Sequence, residues 1–140
     1  MDTIKSLNKW ANLHTYIPLD LLRIALGVFL FIKGINFMAD SEMLVMLFKP
    51  IESWAGGMLA IHYVAPAHFI GGLLIVFGLL TRWAIIAQIP ILIGAIAINF
   101  VGEMDTNNLI LAIATTLICG FFLLYGSGKH SLDYYFKMQQ

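Results

Sequence analysis

Residues 58–101 read MLAIHYVAPAHFIGGLLIVFGLLTRWAIIAQIPILIGAIAINFV, with Arg82 as the one formally charged side chain in the run. A helix needs about 20 mostly apolar residues to cross the hydrocarbon of a bilayer, and this run holds two such lengths back to back. Leu80-Thr81-Arg82 separates them, which is just enough chain to reverse direction. The stretch therefore reads as a tight antiparallel hairpin of two membrane helices, Met58 to Leu80 and Arg82 to Val101. Strands are excluded, because an open strand leaves its backbone groups unpaired in lipid while a helix satisfies its own. Pro66 and Pro90 lie inside the two helices and predict kinks there.

Two further apolar lengths flank the hairpin, Ile17 to Met38 and Asn108 to Tyr125. The chain thus reads as an all-α protein, a single four-helix transmembrane bundle over residues 1–140. Its spans fall at about 17–38, 58–80, 82–101 and 108–125, with short tails over 1–16 and 126–140. Gly102 to Asn107 joins the last two spans. The first connection is longer: Ser41-Glu42 predicts the start of a short interfacial helix, Met43 to Phe48, ended by Pro50. Trp54, ahead of Gly56-Gly57, reads as an interfacial anchor.

Composition agrees. The chain has 140 residues, 60% apolar and 11% charged, against about half and about a quarter in soluble domains. A formal net charge of zero leaves no basic face for nucleic acid. The single cysteine, Cys119, excludes an internal disulfide, a CxxC redox pair and a cysteine-built zinc site. Lys5 and Lys9 precede the first apolar run as in a signal peptide. That run is too long for one, carries Arg23 and Lys33, and has no small-residue cleavage site after it, so it reads as a retained span.

Four spans put the N-terminus, the second connection and the C-terminus on one side, with Lys5, Lys9, Arg82, Lys129 and Lys137. The other side has Lys49 with Asp40, Glu42, Glu52, Glu103 and Asp105. The positive-inside rule places both termini in the cytoplasm, and the chain is read as an inner-membrane protein.

Polar groups within spans are costly and mark candidate sites. Asp20 and Arg23 share a face of the first span with Gly27 and Gly34, whose small size admits a close neighbour. Lys33 points about a quarter turn away. His62 and His68 lie in the second span, followed by Gly71-Gly72 and Gly78. Gln88 and Asn99 share a face of the third span, and Asn108, Thr115 and Cys119 share one in the fourth. By helical rise, Arg23 and Gln88 form one polar layer toward the cytoplasm, and Lys33, Asn36, His62 and Asn99 another near the outer edge. His68 lies between them, level with Thr115 and Thr116. The ligand-binding candidates are Arg23, His68, Asp20, Lys33, Gln88 and Asn99, and the glycines are read as helix packing.

Plainer readings stand beside these. Asp20 and Arg23 make an ion pair that fixes helix register, Lys33 snorkels to the outer surface, and Gln88, Asn99 and the threonines are interhelical hydrogen-bond glue. Six residues apart, His62 and His68 face different ways on one helix and lack the spacing of a shared metal site. No other span has a histidine at matching depth, so neither metal nor haem is expected within one protomer.

Three stretches resemble the DoxX family. Leu22-Arg23-Ile24-Ala25-Leu26-Gly27, with Gly34 beyond, is similar to its first-span signature. The run from Gly71-Gly72 to Gly78-Leu79-Leu80-Thr81-Arg82 resembles its second-span motif. Gly126-Ser127-Gly128-Lys129-His130-Ser131-Leu132-Asp133 resembles its C-terminal ending. Where family members often carry a glutamate before the glycine pair, this chain has His68. Where they often carry a histidine before the first-span glycine, it has Lys33.

The resemblance implies a four-helix membrane bundle. Its relatives include the DoxD-type subunit of a thiosulfate:quinone oxidoreductase, and others are linked to thiol and oxidative-stress complexes or to membrane-protein assembly. It therefore implies an accessory or small-ligand-binding subunit of a membrane redox system, with a quinone-like ligand at Arg23 and His68. Membrane lipid is a partner, with a second copy or other membrane redox subunits beside it. The alternatives are a small solute transporter or channel and a non-catalytic assembly partner. Whether the chain is itself an enzyme stays open.

Overall fold

A computed structural model describes residues 2–40, 42, 45–46, 49, 57–101 and 104–137. These residues form six helices: α1 (Asp2–Leu13), α2 (Ile17–Ala39), α3 (Gly57–Phe77), α4 (Thr81–Val101), α5 (Thr106–Tyr125) and α6 (Leu132–Tyr135). Among the described residues, three stretches are long and apolar enough to cross a membrane, Ile17–Ala39, Thr81–Phe100 and Thr106–Tyr125. In α3 the apolar stretch among the described residues is shorter, His62–Phe77. Of the interfacial helix predicted over 43–48 only Val45 and Met46 are described, both helical; its other residues and the Trp54 anchor fall outside the described residues.

The helix ends follow local chemistry. Pro18 sits in the first turn of α2, where its missing N–H costs nothing. Asp105 caps α5 by accepting from Asn107 N and Asn108 N, which satisfies two otherwise orphaned donors. The α3–α4 reversal runs through Gly78, Leu79 and Leu80. Gly78 has φ of +69°, and the Arg23 guanidinium and Ser131 occupy the space a side chain would need. Glycine is required there on both counts.

The predicted N-terminal tail is instead a helix, α1. It is too polar to read as a span, but its Asn8 and Ala11 are buried, and Trp10 meets Tyr125 of α5 edge to face at 6.1 Å.

Helices α2 and α3 lie backbone to backbone. A Cβ at Gly72 would come within 2.5 Å of Phe31 N, one at Gly34 within 2.5 Å of Phe69 N, and one at Gly27 within 2.6 Å of Val76 N. Behind this contact, α4 packs on α3 and α5 on α4. The core gathers Leu26, Leu30, Ile75, Ile85, Leu92, Cys119 and Phe122, all buried. Helices α2 and α5 meet only lightly, so the bundle keeps a seam between them. Its outer faces carry exposed apolar side chains such as Leu21, Ile32, Ile93, Phe100 and Leu117. So broad an apolar surface suits lipid rather than water.

Candidate functional site

The polar residues of the helices separate into two groups, one at each end of the bundle. The first is built on the chain reversals. Arg23, 2% exposed, donates from Nη1 to the carbonyls of Ile75 (3.0 Å) and Val76 (3.3 Å), and from Nη2 to that of His130 (3.0 Å). The first two carbonyls belong to the last turn of α3, where Ile75 O has only the Gly78 N–H (3.2 Å) beside the guanidinium, and a cation suits the negative pole there.

Arg82 does the same for α5, donating to Leu123 O (2.9 Å) and Leu124 O (3.0 Å), and it also reaches Asn8 of α1 (2.6 Å). The C-terminal segment closes this end. Asp133, buried, accepts from Leu80 N (2.7 Å) and Thr81 N (3.2 Å), the start of α4. His130 Nδ1 lies 2.7 Å from Asp20 Oδ2.

The plainer reading of Asp20 as the ion partner of Arg23 is therefore corrected. Asp20 Oδ2 is bonded to His130 and the two Nη groups of Arg23 to three carbonyls, while Asp20 Oδ1 and Arg23 Nε are buried with no partner among the described residues. Sequence reasoning did not assign this role to Asp133, His130 or Asn8. The Ser131-Leu132-Asp133 pattern was its one signal: Ser131 accepts from Tyr134 N and starts the short helix that turns Asp133 inward.

The second group surrounds a cavity of about 190 Å³ toward the other end. Helix α2 gives Phe29, Leu30, Lys33 and Phe37, and α3 gives Val64 and His68. Helix α4 contributes Ile91, Leu92, Ala95, Ile98 and Asn99. Asp105 caps the last wall, where α5 supplies Asn108, Leu111, Ala112 and Thr115. The walls are mainly apolar, with a few polar groups converging, the usual make-up of a small-molecule site.

His68 is 6% exposed, and its ring stands edge on to Phe37 at 5.7 Å. The Val64 carbonyl lies one turn back on its own helix, yet no contact of full hydrogen-bond geometry among the described residues satisfies Nδ1. The Lys33 ammonium is 5.8 Å from the centre of the Phe29 ring, within cation–π range. It lines the cavity rather than only reaching outward as a snorkelling lysine would.

Two other candidates serve as struts. Gln88, fully buried, donates to Ala67 O at 2.6 Å and fills the space left by Gly71, while its Oε1 finds no partner among the described residues. Asn99 Nδ2 donates to Ala95 O (2.9 Å) and its Oδ1 accepts from Asp105 N (3.0 Å), tying α4 to the cap of α5. The threonines are not interhelical glue: Thr115 and Thr116 donate to Leu111 O (2.7 Å) and Ala112 O (2.6 Å) of their own helix.

The cavity thus brings together Lys33, His68 and Asn99 and leaves Asp20 and Arg23 at the opposite end. Arg23 bonds the carbonyl of Ile75, two helical turns, or about 10 Å, beyond His68 on α3. One headgroup cannot bridge the two layers. His62 is exposed and lies outside the cavity. Among the described residues, no three of His, Cys, Asp and Glu gather as metal ligands.

A family model described as DoxX matches residues 19–104, well over half of the chain. That stretch holds the first two motifs, together with Lys33 and His68. Comparison with curated proteins gives no match, and neither does comparison with solved structures.

Proposed function

The chain belongs to the DoxX family of membrane proteins, and from that premise we propose that it holds a small, amphipathic, quinone-like molecule inside the membrane. In this reading it is an accessory subunit of a membrane redox system. The observation that carries the reading is the cavity of about 190 Å³ in which Lys33 and the buried His68, with its unsatisfied Nδ1, face mainly apolar walls. A quinone fits these residues. Its carbonyl oxygens need donors, which Lys33 and one tautomer of His68 supply, and its ring and tail need the apolar surface of Phe29, Phe37 and Ile98. When bound, such a molecule supplies two-electron redox chemistry. This chain's residues position its head and keep water from it.

The same proposal includes four spans. Helix α3 is 21 residues long, Gly57–Phe77, enough for about 30 Å at helical rise. With four spans, both termini lie on the side carrying Lys5, Lys9, Lys129 and Lys137, which the positive-inside rule makes cytoplasmic, in the inner membrane.

Mass spectrometry of the small molecules that co-purify with the solubilised protein tests the reading. The comparison is a Lys33→Ala, His68→Ala variant with Arg23 left intact. A quinone-like molecule retained by the parent and depleted in the variant is expected. The same lipids in both, and nothing else, would refute it.

A further inference from the structure

The hydrogen-bond capacity of the cavity is lopsided. Its acid, Asp105, has both oxygens engaged: Oδ1 accepts from Asn107 N (3.0 Å) and Asn108 N (3.3 Å), and Oδ2 from Asn108 Nδ2 (2.9 Å). That carboxylate is turned to the positive pole at the start of α5. The Asn99 carbonyl oxygen is taken by Asp105 N, and the Thr115 hydroxyl donates within its own helix.

On the donor side, the Lys33 ammonium faces a ring, and no acid among the described residues forms an ion pair with it. His68 lines the same space, and its Nδ1 has no partner among the described residues. Acceptors remain on Asn108 and Thr115, but they are neutral; among the described residues the free donors of the site are Lys33 and one tautomer of His68. One of them is a cation whose charge is costly at an apolar wall unless an opposite charge meets it.

We propose that the polar end of this cavity is an anion site: Lys33 and His68 hold the ionised oxygen head of an amphiphile whose tail leaves into lipid through the seam between α2 and α5. An acceptor-only head uses these donors without bringing a competing one, and charge-assisted bonds are the strong ones. Two kinds of molecule share this chemistry, a fatty-acid-like carboxylate and an acidic hydroxyquinone, a vinylogous carboxylic acid. The volume fits a head and the first part of a body. It falls below the roughly 300–1,000 Å³ of sites that enclose a drug-sized ligand, so the remainder must lie outside. Helices α2 and α5 barely meet, and part-exposed Phe29 and exposed Leu111 flank the seam. The proposal rests on the cavity being a ligand site and adds the charge of the ligand.

Four radiolabelled probes in two pairs test it on the full chain in phosphatidylcholine nanodiscs. Decanoate is paired with decanol, and a decyl hydroxybenzoquinone with the decyl benzoquinone that lacks the hydroxyl. Binding is read by scintillation proximity against empty discs, at a pH where both acids are ionised. At least one anionic probe is expected to bind about tenfold or more tighter than its neutral partner, and the tighter of the two anions identifies the source. Lys33→Met should abolish the preference and Lys33→Arg should retain most of it, with both variants monodisperse and helical. If the neutral probes bind as well as the anions, or if Lys33→Met leaves the preference intact, the anion site is wrong while the cavity remains a ligand site. If no probe binds the parent saturably, both readings fall.

Discussion

Asp133→Ala should destabilise the bundle more than its place near the C-terminus suggests. The carboxylate is 4% exposed and accepts from Leu80 N at 2.7 Å and Thr81 N at 3.2 Å. Alanine leaves both backbone donors without an acceptor where the chain reverses between α3 and α4. A lost N-terminal cap costs about 0.5–2 kcal/mol, and a bond to a charged acceptor is worth about 1.5–3 kcal/mol. The bond from Asp133 N to Gly78 O (3.0 Å) is backbone and survives. The expected loss is therefore about 2–4 kcal/mol. Asp133→Asn keeps one neutral acceptor and should lose roughly half as much.

Cys119 provides the assay. It is the only cysteine in the chain and is 1% exposed at the centre of the core. Its modification by a thiol reagent across an SDS titration reports opening of the bundle without an added label. Equal Cys119 protection in parent and Asp133→Ala, within about 0.5 kcal/mol, would show that the C-terminal segment is not a structural cap and would refute this account.

Three further outcomes follow from named contacts. Gly72→Ala should cost about 1–3 kcal/mol by the same assay, because its Cβ meets the backbone of Phe31, whereas Gly71→Ala should cost less because the Gln88 amide that it meets can turn aside; equal losses would contradict the α2–α3 contact. Arg23→Lys should lose about 1–2 kcal/mol and loosen the C-terminal segment to protease, since an ammonium cannot reproduce the fork that bonds Ile75, Val76 and His130 together. In a Cys119→Ala background, Lys129→Cys should react with an impermeant thiol reagent from the cytoplasmic side and Lys49→Cys from the other; labelling of both from one side would overturn the four-span topology.

The hairpin was legible because apolar length and a short charged break are local properties, readable without knowing what the helices touch. The face joining Asp20, Arg23, Gly27 and Gly34 was legible for the same reason, since helical periodicity alone places them together, and all four are buried. Helix α1 was not. Its sequence is mixed in polarity, and the burial of Asn8 and Ala11 depends on where α5 ends, which no local pattern encodes. The threonines were misread because a hydroxyl in a span can bond its own helix or a neighbour, and the residue type does not distinguish them.

Depth separates Arg23 from Lys33 and Asn99 in the sequence, yet the family resemblance joins Arg23 to His68 at one headgroup; the structure holds them apart for a physical reason that also separates their roles. Depth along a helix can be counted, but the return of the C-terminal segment beneath the bundle cannot. That return brings His130 O to Arg23 and Asp133 to the start of α4. At that end, Nη1 and Nη2 of Arg23 and the side chain of Arg82 are engaged by carbonyls or Asn8, and the Asp133 oxygens by backbone N–H groups, so these charges hold the helix ends together; Arg23 Nε, Asp20 Oδ1 and Thr81 Oγ1 are buried there with no partner among the described residues. At the cavity end, Lys33 and His68 line open space and hold groups that the described residues do not use. The two groups should therefore separate cleanly under substitution. Arg23→Lys should shift Cys119 protection while leaving the preference between charged and neutral probes in place. Lys33→Met should remove that preference with Cys119 protection unchanged. A substitution at Arg23 that altered probe selectivity without altering stability would mean that the two ends act as one site.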